Sequence, residues 1–395
     1  MLPFIVEHNS ALCTGCGACV QCCPEACISM RTDAEGFAYP QIDTQRCIKC
    51  GLCSSVCPSS GDGLGLHRGA PQPQLFAAWH LDDQIRHSSS SGGVFTALAQ
   101  TILSAGGVVY GAAFDELWRL RHVGIGDEAQ LAQLRGSKYL QSATCSTFCE
   151  VEAHLAIGSS VLYSGTPCQI SGLYAYLGGA QEGLVTVDLI CHGVPSPLVF
   201  DAYLQHCARL AGDAPVSVSF RDKLKGWRRY SMHIEMQSGR HYAQTLDRDP
   251  FLIGFLRNHC LRPSCHSCSY AQVQRIADIT LGDYWGIARF HPELDDDRGV
   301  SEVLVNTARG QRLFEACASR LFVQECPLEE GMQGGLCTPS VASPQRAAFF
   351  CGLERLTFAE LRTKYLRPCA KPTWRRMASR LVRRLLPRLR RLRWS

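Results

Sequence analysis

No run of about 18 apolar residues occurs in the sequence, so no segment is long enough to cross a bilayer as a helix. The first residues, MLPFIVEHNSALC, have neither the basic start nor the long apolar segment of a secretory signal. The 23 cysteines are therefore expected as thiols in a reducing, cytoplasmic compartment, not as disulfides of a secreted protein. Acidic residues are missing from residues 361–395, which carry thirteen Lys or Arg. The remainder holds 27 basic and 35 acidic residues, a net −8 within an overall +5. Positive charge segregated at one end excludes a nucleic-acid-binding domain as the reading of the whole. What is present, 395 residues with 46% hydrophobic and 19% charged content, suits a globular protein of two or three domains.

One cysteine spacing occurs twice near the start, as Cys13-x2-Cys16-x2-Cys19-x3-Cys23-Pro24 and Cys47-x2-Cys50-x2-Cys53-x3-Cys57-Pro58. This is the run of bacterial two-cluster ferredoxins, in which the fourth cysteine reaches the other cluster. Cys13, Cys16, Cys19 and Cys57 are expected to hold one 4Fe-4S cluster, and Cys47, Cys50, Cys53 and Cys23 the second. Pro24 and Pro58 fix the chain direction after the fourth ligand. Zinc or disulfides are the competing reading, although a zinc site closes on four ligands in paired spacings. Cys22 and Cys27 fall outside the pattern and are expected to pack.

Residues 1–66 thus form a cluster module with an internal repeat of about 34 residues, and 67–74 lie in a Gly/Pro/Gln-rich linker. Residues 75–345 are expected as an α/β domain, and 346–395 as an extension. Within the α/β part, Val94 to Ser104 has helical periodicity and stops at Gly106-Gly107, and Val108 to Phe114 follows as a strand. Val161 to Tyr163 leads through a tight turn into a helix ending near Gly178. Leu184 to Ile190 repeats that grammar, with Ser196 as N-cap and Pro197 opening the next helix. Val216 to Phe220 and Tyr230 to Met236 read as strands, with a hairpin at Ser238-Gly239.

Three segments are too polar and glycine-rich for core: Ser88 to Gly93, Gly136-Ser137-Lys138-Tyr139, and Gly165-Thr166-Pro167-Cys168-Gln169. Each can offer amides and hydroxyls to phosphate, the first directly ahead of a helix. A third cysteine group, Cys260-x4-Cys265-x2-Cys268, has an iron-sulfur spacing and needs a fourth ligand. Cys191 and Cys168 both qualify, with Cys191 preferred; a zinc site using His259 or His266 is the alternative. Arg221 and Lys223 open a basic run around Gly226-Trp227 that suits either an anionic substrate or a solvated turn. Asp278 and Asp283 are read as turn-capping or loop-orienting carboxylates.

From Gln84 to Leu313 the chain resembles the coenzyme F420 hydrogenase/dehydrogenase beta-subunit family. The resemblance rests on Ser90-Ser91-Gly92-Gly93, Gly136 to Tyr139, Gly165 to Gln169, Cys191-His192-Gly193, Phe220 to Lys223 with Gly226-Trp227, the Cys260 group, and Ala277-Asp278-Ile279 with Gly282-Asp283. It implies an iron-sulfur flavoprotein: a mixed α+β or α/β flavin-binding domain whose FAD exchanges hydride with a deazaflavin or other organic substrate. Two N-terminal clusters and a third would connect it to a one-electron carrier such as ferredoxin or to a redox partner subunit. On this resemblance Ser90, Ser91, Gly92, Gly93, Gly136 to Tyr139, Gly165, Thr166, Pro167 and Gln169 would hold FAD, with Lys138 and Cys168 nearest the reacting ring. Arg221 and Lys223 would lie toward the substrate. A non-catalytic electron-transfer subunit is the competing reading.

The tail from Trp374 spaces Met377, Ala378, Leu381, Val382 and Leu385 helically between arginines. A basic amphipathic helix of this kind suits peripheral contact with an anionic membrane surface, or docking on an acidic partner.

Overall fold

The computed structural model describes residues 11–60 and 73–368; the basic amphipathic tail expected from Trp374 lies outside the described residues. The first part holds the antiparallel pair β1 (Ile28–Thr32) and β2 (Ala38–Ile42), with the one-turn helices Ala18–Gln21 and Leu52–Ser55. Both helices follow a glycine held at a φ of 82°, Gly17 and Gly51, a conformation other residues adopt only under strain.

The second part is built on eight strands: β3 (Gln74–His80), β4 (Val108–Phe114), β5 (Leu120–Ile125), β6 (Val161–Ser164), β7 (Leu184–Leu189), β11 (Ile279–Asp283), β12 (Ser301–Val305) and β13 (Leu321–Cys326). Their order is β13-β3-β12-β11-β7-β6-β4-β5. The middle strands β11, β7, β6 and β4 are parallel, and antiparallel neighbours flank them on both sides. Parallel strands covered by helices read as continuous apolar runs, and β7 and β12 are almost wholly buried. The helix Val94–Ser104 packs its apolar face here, through Val94, Leu98 and Ile102, and Gly106 turns the chain into β4.

A separate antiparallel sheet, β8 (Pro215–Asp222), β9 (Ser231–Met236) and β10 (His241–Thr245), carries a second core. Phe200 and Tyr203 of the helix Pro197–Ala211 and Phe251 fill it. Phe349, Phe358, Leu361 and Tyr365, from the helices Arg346–Leu353 and Phe358–Tyr365, enter the same core. Packing therefore runs past residue 345, and residues 346–366 are part of the body and not an extension from it. Among the described residues, no helix is long and apolar enough to cross a membrane.

Candidate functional site

Two cavities lie in the N-terminal part. One, of about 120 Å³, is lined by Cys13, Cys16, Cys19 and Cys57, with Tyr39 and Pro58 beside them. The other, of about 20 Å³, is lined by Cys23, Cys47, Cys50 and Cys53. Each set takes three thiols from one repeat and one from the other. Burial pushes the Cys16 thiol up to about 12, and Cys13 and Cys57 reinforce the shift. Four thiols crowded into a hollow repel as thiolates unless a cationic core lies between them, so the donor set fits an iron-sulfur cube. Cys27 also lines the second cavity, its Sγ 3.4 Å from that of Cys23, and packs with Cys19, Ile28 and Cys53. Cys50 is exposed, as are its neighbours Ile48 and Leu52, so the second cavity opens at the surface.

The first cavity is fastened to the body of the protein. Thr144 donates to the Cys16 carbonyl (2.9 Å), and Gln141 to the Thr14 carbonyl (2.6 Å). Arg262, 1% exposed, donates to the carbonyls of Cys13 and Ala38 and to Gln141 Oε1, and its Nη2 lies 3.8 Å from Cys13 Sγ. Gly172, in the helix Pro167–Leu177, meets the same loop: a Cβ there would stand 3.0 Å from Cys16 Sγ. None of these anchors carries a sequence signal, because each is defined by its neighbours across the fold.

Behind Cys16 lies a third thiol group. Cys168 opens the helix after β6, Cys191 sits in the loop after β7, and Cys265 and Cys268 belong to the short helical turn at Pro263–Ser267 and its end. Burial raises Cys168 to about 11 and Cys265 to about 12, Cys268 adds to both, and the Arg262 guanidinium opposes both. Burial also raises Cys191, with Cys265, Cys168 and Cys268 acting on it. Cys260 is not in this group. It is fully buried among Phe251, Phe349 and Leu361, and no other thiol acts on it. The structure thus groups Cys168 and Cys191 with Cys265 and Cys268 and sets Cys260 apart, because neighbouring parallel strands bring the loops of Cys168 and Cys191 together. His259 is hydrogen-bonded to Ser343 and lies against Phe349, in the same apolar core as Cys260.

The polar segments gather at the carboxyl ends of the parallel strands, where open α/β sheets bind ligands. Ser90 Oγ accepts from the Ser137 amide (2.6 Å), which joins the serine loop to Gly136–Tyr139. Gly136 has a φ of 85° with open space around it. Lys138 Nζ donates to the Arg135 and Gly136 carbonyls, and desolvation lowers its pKa to about 7 although the side chain is only half-buried. Thr166 and Gln169 form a capping box that opens the Cys168 helix behind Pro167, and Gly165 faces His122. These residues bring hydroxyls, amides and one cation to the same end of the sheet, a donor set that fits the phosphates and polar ring edge of FAD.

Two pairs of these residues also have partners within the body of the protein. A Cβ on Gly92 would meet the Ala78 carbonyl at 2.3 Å, and one on Gly93 the His80 side chain at 3.2 Å, so both glycines serve close packing. Arg221 forms a two-pronged pair with Asp283 (2.6 and 2.9 Å) and donates to Tyr139 and the Ser90 carbonyl. Lys223 donates to the carbonyls of Arg86, Ser91 and Arg298, each at 2.7 Å. The two basic side chains are buried and hold the serine loop. Asp283 also accepts from Trp227 Nε1 (2.6 Å), and Trp227 stacks on Trp285.

Comparison with known proteins agrees with this division. Residues 12–60 match the 4Fe-4S dicluster domain. Residues 75–148 match the coenzyme F420 hydrogenase/dehydrogenase beta subunit N-terminal family, and residues 158–331 its C-terminal counterpart. The chain belongs to the coenzyme F420 hydrogenase/dehydrogenase beta-subunit family. Its N-terminal module is an iron-sulfur domain, and membership makes it an oxidoreductase subunit. Among relatives of this beta-subunit family, a subunit of the F(420)H(2) dehydrogenase of Methanosarcina mazei is 21% identical over 341 residues, covering 82% of this chain and 86% of the relative. An NADH-quinone oxidoreductase subunit of Geobacter metallireducens is 40% identical over 58 residues, 13% of this chain and 44% of the relative. A chain of the F420-reducing NiFe hydrogenase complex from Methanosarcina barkeri superposes with a TM-score of 0.44 at 18% identity, covering 78% of this chain and 98% of that one.

Proposed function

We propose that this beta-subunit relative is an iron-sulfur flavoprotein passing electrons between FAD, which acts on coenzyme F420 or another organic substrate, and 4Fe-4S clusters linked to a one-electron carrier. One observation carries the reading. Three thiol groups stand in succession, from the exposed rim at Cys50, through the cavity of Cys13, Cys16, Cys19 and Cys57, to the Cys168 group beside Thr166 and Gln169. Bound FAD supplies two-electron hydride chemistry, and the clusters supply single-electron steps.

The chain's own residues do the holding. Cys13, Cys16, Cys19 and Cys57 are assigned to one cluster, Cys23, Cys47, Cys50 and Cys53 to the second, and Cys168, Cys191, Cys265 and Cys268 to a third. Ser90, Gly136, Ser137 and Thr166 offer hydroxyls and amides to FAD. Lys138, with a pKa lowered to about 7 by desolvation, holds or releases a proton at Nζ near neutral pH. Arg221 and Lys223 position the serine loop.

Anaerobic purification followed by iron, sulfide and flavin counts tests this, together with a survey of which reduced cofactor bleaches the flavin. About twelve irons and one FAD per chain are expected. Iron and sulfide without FAD, even after reconstitution with FAD, would leave an electron-transfer subunit without a flavin reaction.

A further inference from the structure

On the far side of the Asp283 loop, three ligand-type side chains from separate segments meet. Cys326 ends β13 and is 5% exposed, Glu330 lies on the turn Leu328–Gly331, and His291 follows the short helix Ile287–Phe290. One donor atom from each lies within 4.8 Å of the other two. His291 Nε2 is 2.8 Å from Glu330 Oε2, while Nδ1 faces Glu293 Oε1 at 3.6 Å. A carboxylate behind the second ring nitrogen is the arrangement that orients metal-bound histidines. Beside the group, Glu302 Oε1 is buried without a hydrogen-bond partner, and the Tyr284 hydroxyl lies against the Cys326 thiol. None of these residues belongs to the thiol groups or to the FAD donor set.

We propose that His291, Cys326 and Glu330 bind one divalent cation of the zinc class, with water completing the coordination. A thiolate, an imidazole and a carboxylate together select a borderline-soft ion in a tetrahedral site; calcium and magnesium take oxygen ligands and do not suit the thiolate. Metal–ligand lengths of about 2.0–2.3 Å set the donor atoms roughly 3.2–3.7 Å from one another, so binding moves His291 Nε2 and Glu330 Oε2 slightly apart and draws Cys326 in by up to about an ångström. The water position is reached from the side of His291 and Glu330, both only half-buried. Such an ion pins the segment after β11 to the edge strand β13. That segment follows directly on Asp283, which holds Arg221 and Trp227, so the ion steadies the wall against which the serine loop is tied.

The test uses the full chain, purified without air from zinc-replete cells, with zinc, iron and sulfide measured together. About one zinc per chain is expected. Cys326→Ser and His291→Gln should each lose it while iron and sulfide stay at the parent level. Glu330→Gln, the mildest change, should fold normally and release zinc to a chelator at a concentration at least tenfold lower. X-ray absorption at the zinc edge should show one sulfur among nitrogen and oxygen neighbours. Zinc that persists in Cys326→Ser and His291→Gln, a four-sulfur shell that places it in the cluster thiols, or no zinc after incubation with zinc chloride and desalting would overturn the assignment.

Discussion

Arg262 is the most informative residue to change, because one guanidinium serves two thiol groups. It is 1% exposed, spends its donors on Cys13 O, Ala38 O and Gln141, lies over the Tyr39 ring at 4.2 Å, and opposes the raised pKa values of Cys168 and Cys265. Arg262→Gln keeps part of the hydrogen bonding and removes the charge. With Nη2 3.8 Å from Cys13 Sγ, the charge stands about 6–7 Å from the centre of a cluster held there. At an effective dielectric of about 20 it contributes roughly 2.5 kcal/mol. A positive charge favours the reduced, more negative cluster, so its loss lowers the midpoint potential, by about 100 mV for a one-electron couple. Anaerobic redox titration followed by electron paramagnetic resonance reads the shift, with iron content as the control. The cluster of Cys23, Cys47, Cys50 and Cys53 should move far less. Equal shifts in both ferredoxin-type clusters, or a shift under about 30 mV at full iron content, would refute the argument.

Replacing Cys191 or Cys168 with Ala should remove about four irons and leave about eight, whereas Cys260→Ala should keep all of them and lower only the melting temperature. Retained iron in the first two, or lost iron in the third, would restore Cys260 as a ligand. Gly172→Ala sets a methyl group 2.9 Å from Cys16 Cβ, so the ferredoxin loop must shift. Stopped-flow reduction should show slower transfer beyond the first cluster, and an unchanged rate would separate that contact from the electron path. Asp249 is fully buried, caps the helix Pro250–Leu256 and accepts from Tyr203 and Tyr242; burial raises its pKa to about 6. The folded state therefore takes up a proton before the unfolded one, and stability from this group grows as pH falls through 6. Thermal melts from pH 7 to 5 should show the parent gaining about 1.3 kcal/mol relative to Asp249→Asn, and an unchanged difference would show that Asp249 does not titrate there.

Features that depend on near neighbours in the chain were legible in the sequence. The paired cysteine runs, the Gly106-Gly107 stop, and Ser196 with Pro197 each declare a local geometry, and the structure has a helix or turn at each. The strand β11 escaped because Asp278 and Asp283 bracket it and break the apolar pattern; both carboxylates are matched by partners from elsewhere, Arg309 and Arg221. The edge strand β13 carries exposed Gln324 and Glu325, and its pairing with β3 spans most of the chain. The Cys260 spacing suggested a ligand, but membership of the third group depends on β6 lying beside β7, which no spacing within one loop reveals. Arg221 and Lys223 look like surface cations in sequence, and their acceptors lie on segments more than 60 residues away.

Of the eight thiols around the two ferredoxin cavities, Cys50 is the exposed one. Corrosion by oxygen should begin there and travel inward. On the proposed electron path, a briefly aerated sample would keep its inner thiol groups loaded yet lose exchange with a carrier at the Cys50 rim, so brown colour is a poor guide to competence. Turnover with an external acceptor is the measure of a sound preparation.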